Sequence, residues 1–345
     1  MKTPLHPGTH KHVRKLAWIV FAGVLLIYNS NGREIQSYDS QPTKFAAREL
    51  ALYGRLTLDA VVAEAPPLAE RHGFQKDHSG HFRSAYSVVP SIEAAIVALP
   101  LHLTGLLDLR APLAPSLIAT LTASLLTAAA VALVFASTAR HTSVRTAAIV
   151  ALGLGLGTNL WPLASRSLWQ LETVVFGFAL SLFSWWRPPH ETRRRHVVLG
   201  AAGLALTGAT RMETSPAIAI LLVGLRLRLG VRRAAPAWLI VGVVAAVVMT
   251  SQWMWFGSVL GAKMILQRSG LEAHGVTSTI SSTPWIGALG LLISPSRGLL
   301  IYSPIVLVAV AGLSRAWRDA RGTGDRWWTF AAILQFAGYA CYSMW

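Results

Sequence analysis

The chain has 345 residues, of which 53% are hydrophobic and only 13% charged. Soluble domains carry about 25% charged residues, so the composition points to a polytopic membrane protein rather than two or three soluble domains. The net charge of +16 follows a membrane topology, as shown below, and so does not call for nucleic acid; the single cysteine, Cys341, leaves no intramolecular disulfide framework.

The basic N-terminus MKTPLHPGTHKHVRK runs into LAWIVFAGVLLIY, and the following NSNGREIQ lacks a small-residue cleavage pattern. Residues 16–29 are therefore read as an uncleaved first span with a cytoplasmic N-terminus. The chain then leaves the bilayer through SYDSQPTKFAARELALYGRLTLD, in which Asp39 stands just before Pro42 and a helical pattern over about 43–54. An Asp in that place serves as a helix N-cap or as a general base, and the sequence leaves both open.

A bilayer crossing takes roughly 20 apolar residues. The further candidates are 115–138, 146–163, 168–186, 197–210, 214–229, 235–254, 298–314 and 327–345. The apolar stretch 87–105 is read instead as an interfacial helix: Pro90 and Pro100 interrupt it, and Glu93 and His102 are costly at mid-bilayer. Charge bias supports this count. With 87–105 not crossing, the N-terminus and segments 139–145, 187–196, 226–233 and 315–326 share one side and hold 18 of the 31 basic residues, as cytoplasmic loops do.

The expected fold is thus all-α: a single transmembrane domain over 1–345, with about nine transmembrane helices. A long exoplasmic loop covers 30–114, with juxtamembrane amphipathic helices near 43–54 and 87–105, and a second exoplasmic loop covers 255–284. The chain stops as the last span reaches the outer surface, which reads as a C-terminally short protein.

Isolated polar residues then gather on the outer side. GTNLWPLASRSLWQLET supplies Arg166 and Glu172, GATRMETSP supplies Arg211 and Glu213, and the 255–284 loop supplies Lys263, Arg268, Glu272 and His274. LLISPSRGLLIYSP adds Arg297 and Tyr302. Each has a structural explanation: Arg166 with Glu172 as a surface pair, Arg211 with Glu213 as caps of two short helices, Trp161, Trp169 and Trp285 as an interfacial belt. Convergence of five cations on the face that should be poor in them favours an anionic ligand, because Arg and Lys recognise phosphate by charge and bidentate bonds. GLGLGTN, 153–159, lacks the strand and acidic partner of a dinucleotide site and reads as small residues for close helix packing. No spacing of histidines, cysteines or acids forms a metal motif.

YDSQPTKFAARELALYG, YSVVPSIEAAIVALPLHLTG, GTNLWPLASRSLWQLE, ATRMETSP and, most specifically, SPSRGLLIYSP resemble segments of the GT-C superfamily of integral-membrane glycosyltransferases. The resemblance implies transfer of a sugar from a polyprenyl-phosphate donor to a glycan, lipid or protein acceptor at the outer face of the cytoplasmic membrane. By it, Asp39 matches the loop acid that acts as base; Arg297, Arg211 and Arg166, with Lys263 and Arg268, are expected on the donor phosphate. Glu172, Glu213, His274 and Tyr302 are expected as substrate contacts, and no cofactor or metal is called for. Two departures are Ser40 where a second acid is common, and the short C-terminus. The competing expectations are a transporter or flippase of an anionic lipid, and a non-catalytic scaffold derived from the same fold.

Overall fold

The computed structural model describes residues 7–35, 37–275, 278–296, 298–318 and 324–342, except for the side chains of 7–10, 273–274 and 314–316. Three helices among them are long and apolar enough to cross a membrane: α1 (Pro7–Asn29, over its part from Lys11), α5 (Ala114–Thr138) and α10 (Val231–Phe256). Only 11% of the apolar window of α1 and of α10 is buried, so these helices present Trp18, Leu26, Leu239, Val247 and Met254 to their surroundings. Exposed apolar surface on that scale belongs against lipid. The protein is therefore a helical membrane protein.

The remaining predicted spans are helices of 10 to 17 residues: α6 (Val144–Leu156), α7 (Leu171–Trp185), α8 (Arg194–Thr210), α9 (Ser215–Leu229), α14 (Val306–Arg318) and α15 (Asp325–Ala340), with α12 (Pro284–Ile293) lying outside the predicted set. At 1.5 Å per residue they are about 15–25 Å long, short of a full hydrocarbon core. Local chemistry stops them. The predicted span 146–163 breaks at Gly157 into a single wide turn at Leu160–Ala164. The predicted span 298–314 breaks at Ser303 and Pro304 into α13 (Leu299–Tyr302) and α14, because proline removes a donor and clashes with the preceding turn. Nor is 255–284 simply a loop: the 12-residue helix α11 (Lys263–His274) lies within it.

Segment 30–113 folds over one end of the bundle, here called the loop end. It holds α2 (Gln41–Tyr53), α3 (Asp59–Glu64) and α4 (Val89–Leu103). It also holds a short antiparallel hairpin, β1 (Phe74–Lys76) with β2 (Phe82–Ser84), Phe74 facing Ser84. The hairpin is a small addition to an otherwise helical fold that the expectation did not include. Asp77 makes its turn: Oδ1 accepts the Ser79 and His81 amides at 2.8 and 3.0 Å, and Oδ2 accepts Arg83 Nε at 2.6 Å. Burial pushes the Asp77 carboxyl up, but the Arg83 and backbone hydrogen bonds outweigh it and hold it below the usual range. Arg83 also stacks on Trp255 at the end of α10, and the His78 amide donates to the Trp255 carbonyl, so the hairpin is tied to the bundle.

Helix α4 is divided lengthwise. Ser91, Ala94, Ala95 and Ala98 are buried, while Ile92, Ile96, Leu99 and Leu103 are exposed. Its small-residue face lies on α2, where the Ser91 hydroxyl donates to the Thr43 carbonyl at 2.9 Å. About 22 Å long with an exposed apolar stripe, it has the form of a helix lying in a membrane interface.

The bundle itself is packed through small residues. On α7 and α8, a Cβ added at Gly177 would meet the Gly203 carbonyl at 2.4 Å, and one at Gly203 would meet the Gly177 carbonyl at 2.4 Å. The backbones therefore touch, and Ser181 donates to the Gly200 carbonyl across the contact at 2.7 Å. In the glycine-rich stretch of α6, a Cβ at Gly155 would meet Val131 and the Tyr28 hydroxyl, which donates to the Gly155 carbonyl.

At the other end the basic segments converge. Arg140 donates to the Phe183 carbonyl at 2.6 Å, Arg228 to those of Arg187 at 2.6 Å and Trp185 at 3.3 Å, and Arg233 to those of Pro189 and Thr192. His141 meets the Trp186 carbonyl and ring, and the Trp186 indole bonds Asp325. These are the last carbonyls of α7 and the turn after it, which have no partner inside the helix; cations there also complement the helix dipole. This is the arginine end.

Candidate functional site

The cavity that gathers the predicted residues lies at the loop end, is about 220 Å³, and is walled by Tyr86, Gln170, Arg211, Glu213, Lys263 and Tyr342 among others. Each wall residue is placed by a local device. ATRMETSP forms a tight reversal: α8 ends at Thr210, Arg211 is extended, Met212–Thr214 makes one tight turn, and α9 begins at Ser215 with Pro216 in its first turn. The Thr214 hydroxyl donates to the Arg211 carbonyl at 2.6 Å, and Gln335 of α15 donates to the Glu213 carbonyl at 3.0 Å. Both neighbours of Met212 are thereby turned into the cavity.

Glu213 pairs with Lys263 of α11 at 2.9 Å, the two being about one third exposed. Burial pushes the Glu213 carboxyl up, but the Lys263 bond and the charges of Lys263 and Arg211 hold it below the ordinary range. Of the two expected caps, Arg211 does stand at the C-cap of α8, through its backbone amide and not its side chain, whereas the Glu213 side chain is taken by Lys263. The Arg211 side chain forms no hydrogen bond or ion pair within the described residues, and its Nε is buried without a partner. Lys263 is neutralised by its carboxylate, so Arg211 is the cation left to act on a ligand.

Gln170 is the one described non-glycine residue in the left-handed region, with φ 74°. Its amide donates to Glu172 Oε1 at 3.2 Å, which helps hold a conformation that costs about 1–2 kcal/mol for an L-residue. Such strain is a pointer to function. Glu172 is fully buried and its Oε2 has no partner, so it is not the surface mate of Arg166. Beside it on α4 is Glu93, which accepts the Thr173 hydroxyl. Burial raises the Glu93 carboxyl to about 7, with the Thr173 bond acting the other way.

Asp39 lies behind this wall. Its Oδ1 accepts the Tyr86 hydroxyl at 2.7 Å and His72 Nε2 at 2.8 Å. The N-cap of α2 is Ser40, and no side chain caps that helix, so the capping reading of Asp39 is excluded by geometry. Tyr86 thus has its ring in the cavity wall and its hydroxyl on Asp39. Burial, then the Asp39 hydrogen bond and charge, push the Tyr86 phenol well above its usual range.

A second cavity of about 350 Å³ adjoins the first and shares Met212, Glu213, Leu260 and Lys263 with it. Its other walls are apolar, from α8, α9 and α10, including Leu204, Ile218, Val241 and Val248. A cationic, hydrogen-bonding chamber therefore borders an apolar one across the four residues they share.

The other predicted residues are placed elsewhere. Arg166 follows the wide turn after α6, away from this wall, with its Nε buried and unpartnered. Arg268 sits on an exposed face of α11 and pairs with Glu272 at 3.3 Å. The Tyr302 hydroxyl donates to the Pro295 carbonyl. Arg297 and the side chain of His274 lie outside the described residues. Sequence reasoning assigned no role at the site to Tyr86, Gln170, His72 or Glu93, and did not foresee the Glu34–Lys44 pair at 2.8 Å, which joins Ser116 and Ser167. The left-handed Gln170 carries no sequence signal, whereas Glu93 did: it is an acid inside an apolar stretch.

Among the described residues no group of three or more His, Cys, Asp or Glu is placed to hold a metal ion. Comparison with family models, with curated proteins and with solved structures found no match to this chain. The functional reading accordingly rests on the residues themselves.

Proposed function

We propose that the protein is a glycosyltransferase that moves a sugar from a polyprenyl-phosphate donor to an acceptor hydroxyl at the loop end. In this reading the short helices join α1, α5 and α10 in a nine-span bundle, and the loop end faces outward from the cytoplasmic membrane. The observation that carries it is the shared wall at Glu213 and Lys263: a cationic chamber side by side with an apolar one complements a phosphate on a lipid tail. The resemblance of the sequence segments to GT-C enzymes points the same way.

The acceptor hydroxyl approaches Tyr86. Its proton passes to Tyr86 Oη as the Tyr86 proton passes to Asp39 Oδ1, and His72 holds that carboxylate in place. The acceptor oxygen bonds to the sugar carbon as the bond from that carbon to the phosphate oxygen breaks, its electrons remaining on the phosphate beside Arg211. The raised phenol makes Tyr86 unsuited to act as a lone anion, which is why the relay needs Asp39.

A second reading, movement of an anionic lipid, is favoured by the half-buried Glu93 and the buried Glu172, two carboxylates near the chamber of the kind found in proton-coupled carriers. The test is transfer from a panel of polyprenyl-phosphate sugars by purified protein in lipid nanodiscs, beside Asp39→Asn. Transfer that falls by about 10²–10⁴-fold in the variant supports the relay. Full activity in Asp39→Asn removes Asp39 from the mechanism, and lipid movement across vesicles without transfer establishes the carrier instead.

A further inference from the structure

At the arginine end, far from the chamber, α1, α5 and α7 enclose an apolar groove of about 630 Å³, a size typical of ligand pockets. Trp18, Phe21, Ala132, Leu133, Phe176 and Leu180 form its walls, and its polar lining is Arg14 and Arg140. Its lining residues on α5 and the turn after it run from Ala129 to Ala139, about 15 Å at the helical rise. That is the depth of one leaflet of a hydrocarbon core of about 30 Å.

The two arginines differ in their surroundings. Arg14 is exposed and has no partner among the described residues. Arg140 is held by the Phe183 carbonyl and ring, and Arg187 lies close enough that its charge, after burial, helps lower Arg140 to about 9. Arg187 in turn has a buried Nε without a partner. It lines an adjacent cavity that shares Phe183 with the groove and carries Arg193 and Arg195. Glu191 also lines that cavity and acts on Arg140 and Arg187, but one acid stands against several cations, so the mouth of an apolar slot one leaflet deep is positively charged.

We propose that this groove is a binding site for an anionic phospholipid, with an acyl chain between α1, α5 and α7 and the head phosphate between Arg14 and Arg140. The phosphate relieves the repulsion between Arg140 and Arg187, and the chain covers apolar surface that the fold leaves uncovered. The site stands apart from the transfer reading and does not depend on it.

The test is native mass spectrometry of the full chain released from nanodiscs of equal phosphatidylglycerol and phosphatidylcholine. The wild type retains phosphatidylglycerol in preference. Arg14→Gln and Arg140→Gln each reduce that preference about fivefold, as expected for one basic residue at a membrane surface. Ala132→Phe fills the slot and abolishes retention. Arg14→Gln removes no contact within the fold, so it decides the matter even if the other variants fail to assemble. Equal retention of the two lipids by wild type overturns the proposal. So does an unchanged preference in Arg14→Gln or in a folded Ala132→Phe, or displacement of the signal by millimolar inorganic phosphate, which would indicate a headgroup site without the groove.

Discussion

The two ends of the bundle use the same residue type for different work. At the arginine end, Arg140, Arg228 and Arg233 donate to backbone carbonyls where α7 stops and the chain turns. At the loop end, Arg211 has no such partner and its Nε is buried in a cavity wall. An arginine that satisfies helix carbonyls is explained by the fold, since those carbonyls are costly when left bare. A half-buried arginine that satisfies nothing is unexplained until a ligand is placed beside it. Arg166 and Arg187 also bury an unpartnered Nε, but of the three only Arg211 does so in the wall of the loop-end cavity, a distinction that a count of arginines does not make.

The largest effect expected from breaking this contrast is on the relay. Tyr86→Phe removes the hydroxyl that links the chamber to Asp39, and transfer should fall about 10²–10⁴-fold with an unchanged thermal midpoint, read by turnover and scanning calorimetry side by side. Retained turnover would place the acceptor directly on Asp39. Next, Arg211→Gln should lower transfer by about 10²-fold, the loss typical of one charge-stabilising donor, again without loss of stability. Arg228→Gln should do the opposite: it should destabilise the fold by about 2 kcal/mol while turnover per folded molecule stays constant. If both variants behave alike, the distinction between the ends is wrong.

The smallest effect is on pH response, and there the ends should diverge in sign. The folded Glu93 carboxyl is raised to about 7 by burial. Its contribution is fully present below its ordinary value and is lost as pH rises through about 7, loosening α4 against α7. His196 at the arginine end is lowered by burial, then by Arg187 and Arg195. Its contribution is present above the ordinary imidazole value and is lost as pH falls below it. Hydrogen exchange followed from pH 5 to 8 should show α4 protected at the low end of the range and the start of α8 at the high end, with Glu93→Gln flattening the first trend.

Much of the local architecture was legible in the chain. The three long helices, the surface helix 87–105 and the helix following Asp39 all show as apolar runs, proline positions and charge spacing, because these are short-range signals. The breaks inside 146–163 and 298–314 were harder: Gly157 and Ser303-Pro304 are visible, but a span tolerates glycine and proline when neighbours satisfy the backbone. The hairpin at 74–84 was missed because strands of three residues carry too little periodicity to register. At the site, Asp39, Arg211, Glu213 and Lys263 were picked out because charges are rare in an apolar chain and their positions stand out.

Pairing was beyond the sequence. By itself it determined that this is a helical membrane protein, and that charged residues near helix ends deserve scrutiny, since hydrophobicity and charge are properties of single residues and their neighbours. Only the tertiary structure decided that Glu213 takes Lys263 rather than Arg211, that Asp39 faces Tyr86 and His72 rather than the helix it precedes, and that Arg268 pairs on an exposed surface. Each of those outcomes depends on the direction of a side chain across a gap between elements. A few ångströms decide which charge is neutralised and which is left for a ligand.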